Sequence, residues 1–272
     1  MNALRAAGVG YVPMPAVRSE VTRRLGPAGF GLGRAVNALL HEHQDCERLI
    51  LSDENILGGL RPSRLTGSFY SGVRSRLGRL KRKLGRNDVK IFLAIRSYDE
   101  FISAMYCEYI RHNSFTSSDS YLANVDFQSL SWTRLIADLV KIAGDENVVC
   151  WSFEDFPAIE DKVFGALTGG LAHLVERPEE KLRESLSADA VDLLGKLPRG
   201  MTRKDIRSRS KRIGSALPKG PTRPAFSAFE ARRAQALRAR YDEEVSGLER
   251  LFPGITLLVP TALDGTTSLQ SQ

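Results

Sequence analysis

Five consecutive apolar residues, Ile91–Ile95, run straight into Arg96, and a helix-like pattern starts at once in RSYDEFISAMYCEYIRH. An unbroken apolar run of this length reads as a strand buried on both faces, the signature of a parallel sheet covered by helices. The same order recurs along the chain. ENVVCWSF (146–153) and GITLLVP (254–260) read as further strands, and RLILSDENILGG (48–59) opens as a shorter one. Between them the spacing predicts helices over about 70–84, 98–111, 131–143 and 229–252. The segment EDKVFGALTGGLAHLV (160–175) reads as a helix with a glycine break. The expected fold class is α/β: three layers, a mostly parallel sheet flanked by helices, in one domain over 1–272. Residues 1–47 read as mostly helical with breaks, with Val36, Leu39 and Leu40 at helical spacing. Residues 195–226, rich in Pro, Gly, Ser and Arg, read as a flexible basic insertion, and 261–272 as a polar tail.

Ligands of open α/β sheets sit at the carboxyl ends of the strands, so the loops after Leu51, Ile95 and Trp151 are the places to look. Arg96 occupies such an end. Ser97 and Glu100 fit an S-x-x-E capping box, which starts the helix at Ser97. Free N–H groups and the positive dipole end attract an anion there, and a guanidinium beside them is a forked donor suited to phosphate or sulfate. Ser103, about two turns in, points away from the Phe101, Met105, Tyr109 stripe and offers a hydroxyl. The competing reading is local: Arg96 pairs with Asp53, Glu54 or Glu154, Glu154 serving its strand end through Arg96 or a backbone amide, and Asp99 and Glu100 satisfy the dipole.

Composition narrows the partners. The 272 residues are 42% hydrophobic, which excludes wholesale disorder. The net charge of +7 accommodates an anionic ligand. Three scattered cysteines, Cys46, Cys107 and Cys150, form no C-x-x-C pair, against a disulfide framework and a structural zinc. The first residues lack a signal-peptide core, and no run approaches the ~18 apolar residues of a membrane span. A cytoplasmic protein with no membrane partner is expected. His41 and His43 show no metal-ligand spacing, and His112, at a helix end, is read as a dipole partner. The G-x-G at Gly31 and Gly33 follows no strand and carries no weight as a nucleotide loop.

The stretch from Arg96 to Tyr106, with Ser103 on the helix, resembles the 3′-phosphate-binding segment of sulfotransferases that use 3′-phosphoadenylyl sulfate (PAPS). GVGYVPM (8–14) resembles the segment after that family's first helix, LILSDENILG (49–58) its second strand, and VVCWSFEDF (148–156) its YE-D-L/F strand end. The resemblance implies a P-loop NTPase-like sulfotransferase fold and transfer of a sulfuryl group from PAPS to a hydroxyl acceptor such as a carbohydrate. It also implies that Arg96 and Ser103 hold the cofactor's 3′-phosphate, that Glu54 serves as general base, and that no metal takes part. The chain departs from the family in two ways. The Arg–Ser spacing is one residue short, with Ala104 where the family serine falls, and one residue on a helix is a rotation of roughly 100°. The family's opening strand and K-[ST]-G-T-[TS] loop, which grips the 5′-phosphosulfate, is not found ahead of residue 8. The tail Gly265-Thr266-Thr267-Ser268 is similar to that loop, with Leu263 in place of its lysine and Asp264 adding a negative charge.

Two further classes stand beside this expectation. One is a non-catalytic relic that binds an anionic nucleotide or glycan. The other is a basic nucleic-acid-associated protein using segments 61–86 and 199–223. The latter is disfavoured, because neither segment interleaves aromatics with its cations.

Overall fold

A computed structural model of the chain describes residues 2–26, 29–58, 70, 72–85, 88–177 and 185–261. The expected tail loop at 262–272 and the basic stretch 59–69 lie outside these residues.

The chain opens with α1 (Asn2–Ala6), β1 (Val9–Val12), α2 (Met14–Ala16), a π-helical turn (Val17–Val21) and a 3-10 turn (Thr22–Leu25). Next come α3 (Leu32–Glu42), β2 (Arg48–Leu51), α4 (Val73–Leu84) and β3 (Ile91–Ile95). The middle of the chain carries α5 (Tyr98–His112), α6 (Ser118–Leu122), α7 (Trp132–Ala143), β4 (Val148–Ser152) and α8 (Phe156–Thr168). It closes with α9 (Ala188–Gly195), α10 (Arg203–Ala216), α11 (Ala231–Leu251) and β5 (Thr256–Leu258).

Every pairing between the described strands is parallel, as the apolar runs required. The described strands do not join into one sheet, however. β1 pairs with β2, and β3, β4 and β5 form a second ladder in that order. No described strand pairs with the second edge of β2 or of β3. The three-stranded ladder is covered on both faces with a period of two. Leu93, Ile95, Val148 and Cys150 face the main core, which α4, α5 and α7 complete with Leu77, Ile102, Leu135 and Leu139. Phe92, Ala94 and Trp151 face the opposite way, onto Ile159 and Val163 of α8. Fully buried aliphatics such as Ile95 contribute about 2 kcal/mol each by removal from water.

Three readings need correction. β1 falls where helix was expected. Its four residues surround Gly10, where a Cβ would meet the ring of His43, the residue just past α3, at 2.7 Å, so the packed imidazole leaves a side chain no room. Residues 195–226 carry a 14-residue helix, α10, rather than a long loop. Thr202 caps it by accepting from the Asp205 N–H (3.2 Å), and Ile206 and Ser210 anchor it on the body. Finally, the alternative to a base role for Glu54, that Ser52 caps a helix started by Asp53 and Glu54, is not met either. Asp53 instead closes a tight turn by accepting from the Asn55 N–H at 3.1 Å. The glycine break after α8 is real: Gly169 sits at φ 75°, the left-handed cap that glycine takes without strain. Among the described residues, no helix is long and apolar enough to cross a membrane.

Candidate functional site

The start of α5 is held from three directions, which fixes what stands at the end of β3. Trp132 Nε1–H donates to the Arg96 carbonyl at 2.8 Å, and the Trp132 ring stacks on Tyr98. Glu154, just after β4, accepts from the Ser97 N–H at 2.9 Å. From α11, Glu244 caps the start of α7, accepting from the N–H groups of Trp132 (3.0 Å) and Thr133 (3.2 Å). α11 thus fixes the start of α7, whose first residue in turn holds the end of β3.

The capping box does not close as expected. Ser97 is the N-cap residue, but its side chain makes no cap hydrogen bond. Glu100 turns instead to two arginines. Arg96 Nη2 donates to Glu100 Oε2 at 2.8 Å, and Arg238 Nη2, reaching over from α11, donates to Glu100 Oε1 at 2.8 Å and to Asp99 Oδ2 at 3.2 Å. The Arg96 guanidinium also lies 4.7 Å from the centroid of the Phe153 ring. Burial opposes ionisation of Glu100, but the hydrogen bonds from Arg96 and Arg238 outweigh it and hold the carboxyl below its usual range. Arg96 therefore pairs locally, with a carboxylate of its own helix rather than with Asp53, Glu54 or Glu154. Two guanidinia share one carboxylate.

A cleft of about 480 Å³ opens beside this cluster, between the carboxyl ends of β3 and β4 and the middle of α11. Ser97, Ser152, Glu154 and Asp155 form one wall; Arg238, Tyr241, Asp242, Val245 and Ser246 form the other. Glu154 is tightly placed in it. Besides accepting from the Ser97 N–H, it lies 3.0 Å from Ser152 Oγ and 3.3 Å from Tyr241 OH, and these two hydroxyls also meet each other, so two protons serve three contacts. Burial pushes the Tyr241 phenol up, so it stays protonated at neutral pH. Ser97 is 1% exposed, and its Oγ has no hydrogen-bond partner.

The expected site residues do not converge. Ser103 is buried with its hydroxyl committed: it donates to the Asp99 carbonyl (2.7 Å) and accepts from the Ala228 N–H (3.0 Å). The short spacing to Arg96 turns Ser103 toward the segment before α11, and neither Ser103 nor Arg96 lines the cleft. Glu54 lies at the end of β2, its Oε1 bonded to Arg18 Nη2 at 2.7 Å and to Asn55 Nδ2 at 3.1 Å. It is not in the cleft wall either. Beside it, Arg18 also grips Asp53 (2.8 Å), whose side chain is 0% exposed. Burial opposes ionisation of Asp53, yet the Arg18 bond prevails and lowers its pKa to about 2.

Sequence reading missed Arg238 and Tyr241. Both stand on α11 among many exposed charges, and nothing in ARRAQALRARYDEE marks which of them turn inward. His112 binds Glu108 (2.9 Å) and accepts from Arg207 Nε (3.1 Å), a surface contact at the far end of α5. Arg203, Lys204, Arg209, Lys211 and Arg212 of α10 are exposed. No cluster of histidines, cysteines and acids that would hold a metal occurs among the described residues. Comparison with known proteins finds no match: no family model, no curated protein and no solved structure is similar to this chain.

Proposed function

We propose that the chain binds an anionic nucleotide of the PAPS type at the Arg96–Arg238 pair and passes its sulfuryl group to a hydroxyl acceptor. The observation that carries this reading is the sharing of Glu100 by two guanidinia, one from a strand end and one from the facing helix. Glu100 acts there as a built-in stand-in for a phosphate. Partly exposed i,i+4 pairs such as Arg96–Glu100 are worth only about 0.3–0.5 kcal/mol, so an incoming dianion displaces the carboxylate at small cost. Charge-assisted, forked bonds to phosphate are stronger than those to a surface carboxylate. Resemblance to the family supplies the identity of the anion; Ser103 has no part in holding it.

The test is thermal shift with 3′,5′-ADP, followed by transfer of labelled sulfate from PAPS. Specific binding raises the melting temperature. Arg96→Ala and Arg238→Ala should abolish the rise, whereas Glu100→Gln, which removes the competing anion, should enlarge it. No shift in the wild type, or an equal shift in both alanine variants, overturns the reading.

One observation favours a second reading, a non-catalytic binder of an anionic nucleotide or glycan. Glu54, the base that the resemblance implies, is tied to Arg18 and stands outside the cleft. Nucleotide binding without any sulfate transfer would select this alternative.

A further inference from the structure

Positive charge is gathered on one element away from the cleft. Residues 196–219 hold nine lysines and arginines against one acid, Asp205, an excess of eight, while the whole chain carries +7. The remainder is therefore near neutral. Six of these cations, Arg203, Lys204, Arg207, Arg209, Lys211 and Arg212, stand on α10, and all six are exposed. Asp205 is taken up at the helix start, where Thr202 Oγ donates to it at 2.6 Å. Arg207 reaches the ring of His112. The other five cations have no bonded acceptor and no carboxylate partner among the described residues. Arginines elsewhere, such as Arg5, Arg18 and Arg177, are matched with acids of the chain itself. Like charges three and four residues apart on a helix repel one another, so a helix that keeps them without counter-charge favours an anion from outside.

α10 also stands proud of the surface. Ten of its fourteen residues are exposed, and only a stripe of Ile206, Ser210, Ile213 and Gly214 turns toward the body. The large apolar side chains are thus committed inward. The outer face offers nothing to insert into a bilayer and no apolar centre for a protein interface. It carries no aromatic either, which removes base stacking and with it single-stranded nucleic acid. A duplex needs neither, because its phosphates supply the affinity, one negative charge per ~1.7 Å of axis. A helix ~10–12 Å across with its side chains enters a major groove ~12 Å wide. The cations lie all round the exposed arc instead of in one row, so they meet phosphates on both groove walls. Four of the six are arginines, whose forked donors suit phosphate oxygens.

We propose that α10 is a docking ridge for the phosphate backbone of duplex DNA, seated in the major groove. Arg207 touches His112, the last residue of α5, whereas Arg96 lies just before its first. The ridge and the Arg96–Arg238 pair therefore stand at opposite ends of a helix ~22 Å long, and the DNA site is independent of the nucleotide reading.

Fluorescence anisotropy of a labelled DNA duplex of about 20 base pairs tests the ridge on the full chain. The wild type should bind in the micromolar range at about 50 mM salt, and log K should fall against log salt with a slope of about −4, as for four to five neutralised phosphates. Lys204→Gln, Arg209→Gln, Lys211→Gln and Arg212→Gln combined remove four cations with no other partner among the described residues, so the fold survives. Binding of that variant should weaken at least ~100-fold and its slope flatten to about −1. The same charge removed from exposed positions outside α10, in Arg23→Gln, Arg34→Gln, Arg232→Gln and Arg250→Gln, should change affinity less than about threefold, because salt screens distant charges. Duplex RNA, whose major groove is too narrow to admit a helix, should bind at least ~5-fold more weakly. The proposal is overturned by no binding at about 50 mM salt, or by equal losses in the two quadruple variants. It is equally overturned if single-stranded DNA, duplex RNA or phosphatidylglycerol vesicles bind as tightly as duplex DNA.

Discussion

Two arginine–carboxylate knots stand at the ends of parallel strands, and they are built to opposite ratios. After β2, one guanidinium, Arg18, serves two carboxylates, Asp53 and Glu54. After β3, two guanidinia, Arg96 and Arg238, serve Glu100, with Asp99 at the edge. The first knot sets two carboxylates against one cation, with its main acid sealed from water, so an incoming anion meets net negative charge there. The second has donors in reserve around a half-exposed acid and borders a cleft. The ratio of charges and the burial of the minority partner, more than the presence of an arginine at a strand end, separate a structural tie from a receptive one.

The sharpest way to break the comparison is to remove each cation in the free protein. Arg18→Ala strands the buried Asp53 carboxylate, and chemical denaturation should show a loss of about 3 kcal/mol. Arg96→Ala leaves a more exposed Glu100 that Arg238 still serves, and the same measurement should show less than about 1 kcal/mol. Equal losses would erase the distinction.

Acid titration gives the next largest contrast. Asp53 has a folded pKa of about 2, below the unfolded value of about 3.9. Its contribution is therefore complete above pH ~4 and is lost as pH falls through 2. Unfolding followed over that window should steepen in the wild type and flatten in Asp53→Asn. Glu100 is also held below its usual range, so it competes with an incoming anion throughout neutral pH. The ligand phosphates lose their second charge near pH ~6, so affinity for 3′,5′-ADP should fall on acidification in both proteins, and below pH ~4 less steeply in the wild type than in Glu100→Gln, as read by titration calorimetry.

The smallest effect is the most diagnostic of the cleft. Ser97→Ala, at a position that normally rewards a capping serine, should stabilise the free protein by about 1 kcal/mol. A loss of similar size would show that the hydroxyl has a partner.

Much of this architecture was legible in the chain. Ile91–Ile95 and Val148–Ser152 announce themselves because strands buried on both faces must be apolar throughout. α5, α7 and α11 follow from their spacing to within a residue or two. β1 was hidden because Val9-Gly10-Tyr11-Val12 is four residues long and centred on a glycine that close packing requires. α10 was hidden because one buried isoleucine among arginines and lysines leaves no apolar period to read. The site was only half visible. Arg96 and Glu154 lie at neighbouring strand ends and could be found, Glu154 meeting a backbone amide there, but Arg238 and Tyr241 reach the site from α11, and sequence spacing holds no trace of that meeting. Ser103 misled for the converse reason: its distance along the helix was right to within one residue, and one residue turned it to another face.

The division of the parallel strands into two ladders has a consequence of its own. β2 and β3 each present one flank with no described strand beside it, and both run the same way as their neighbours. Backbone amides and carbonyls along such a flank are a template for added chain. An extended segment laid there would dock through main-chain bonds before any side chain was consulted.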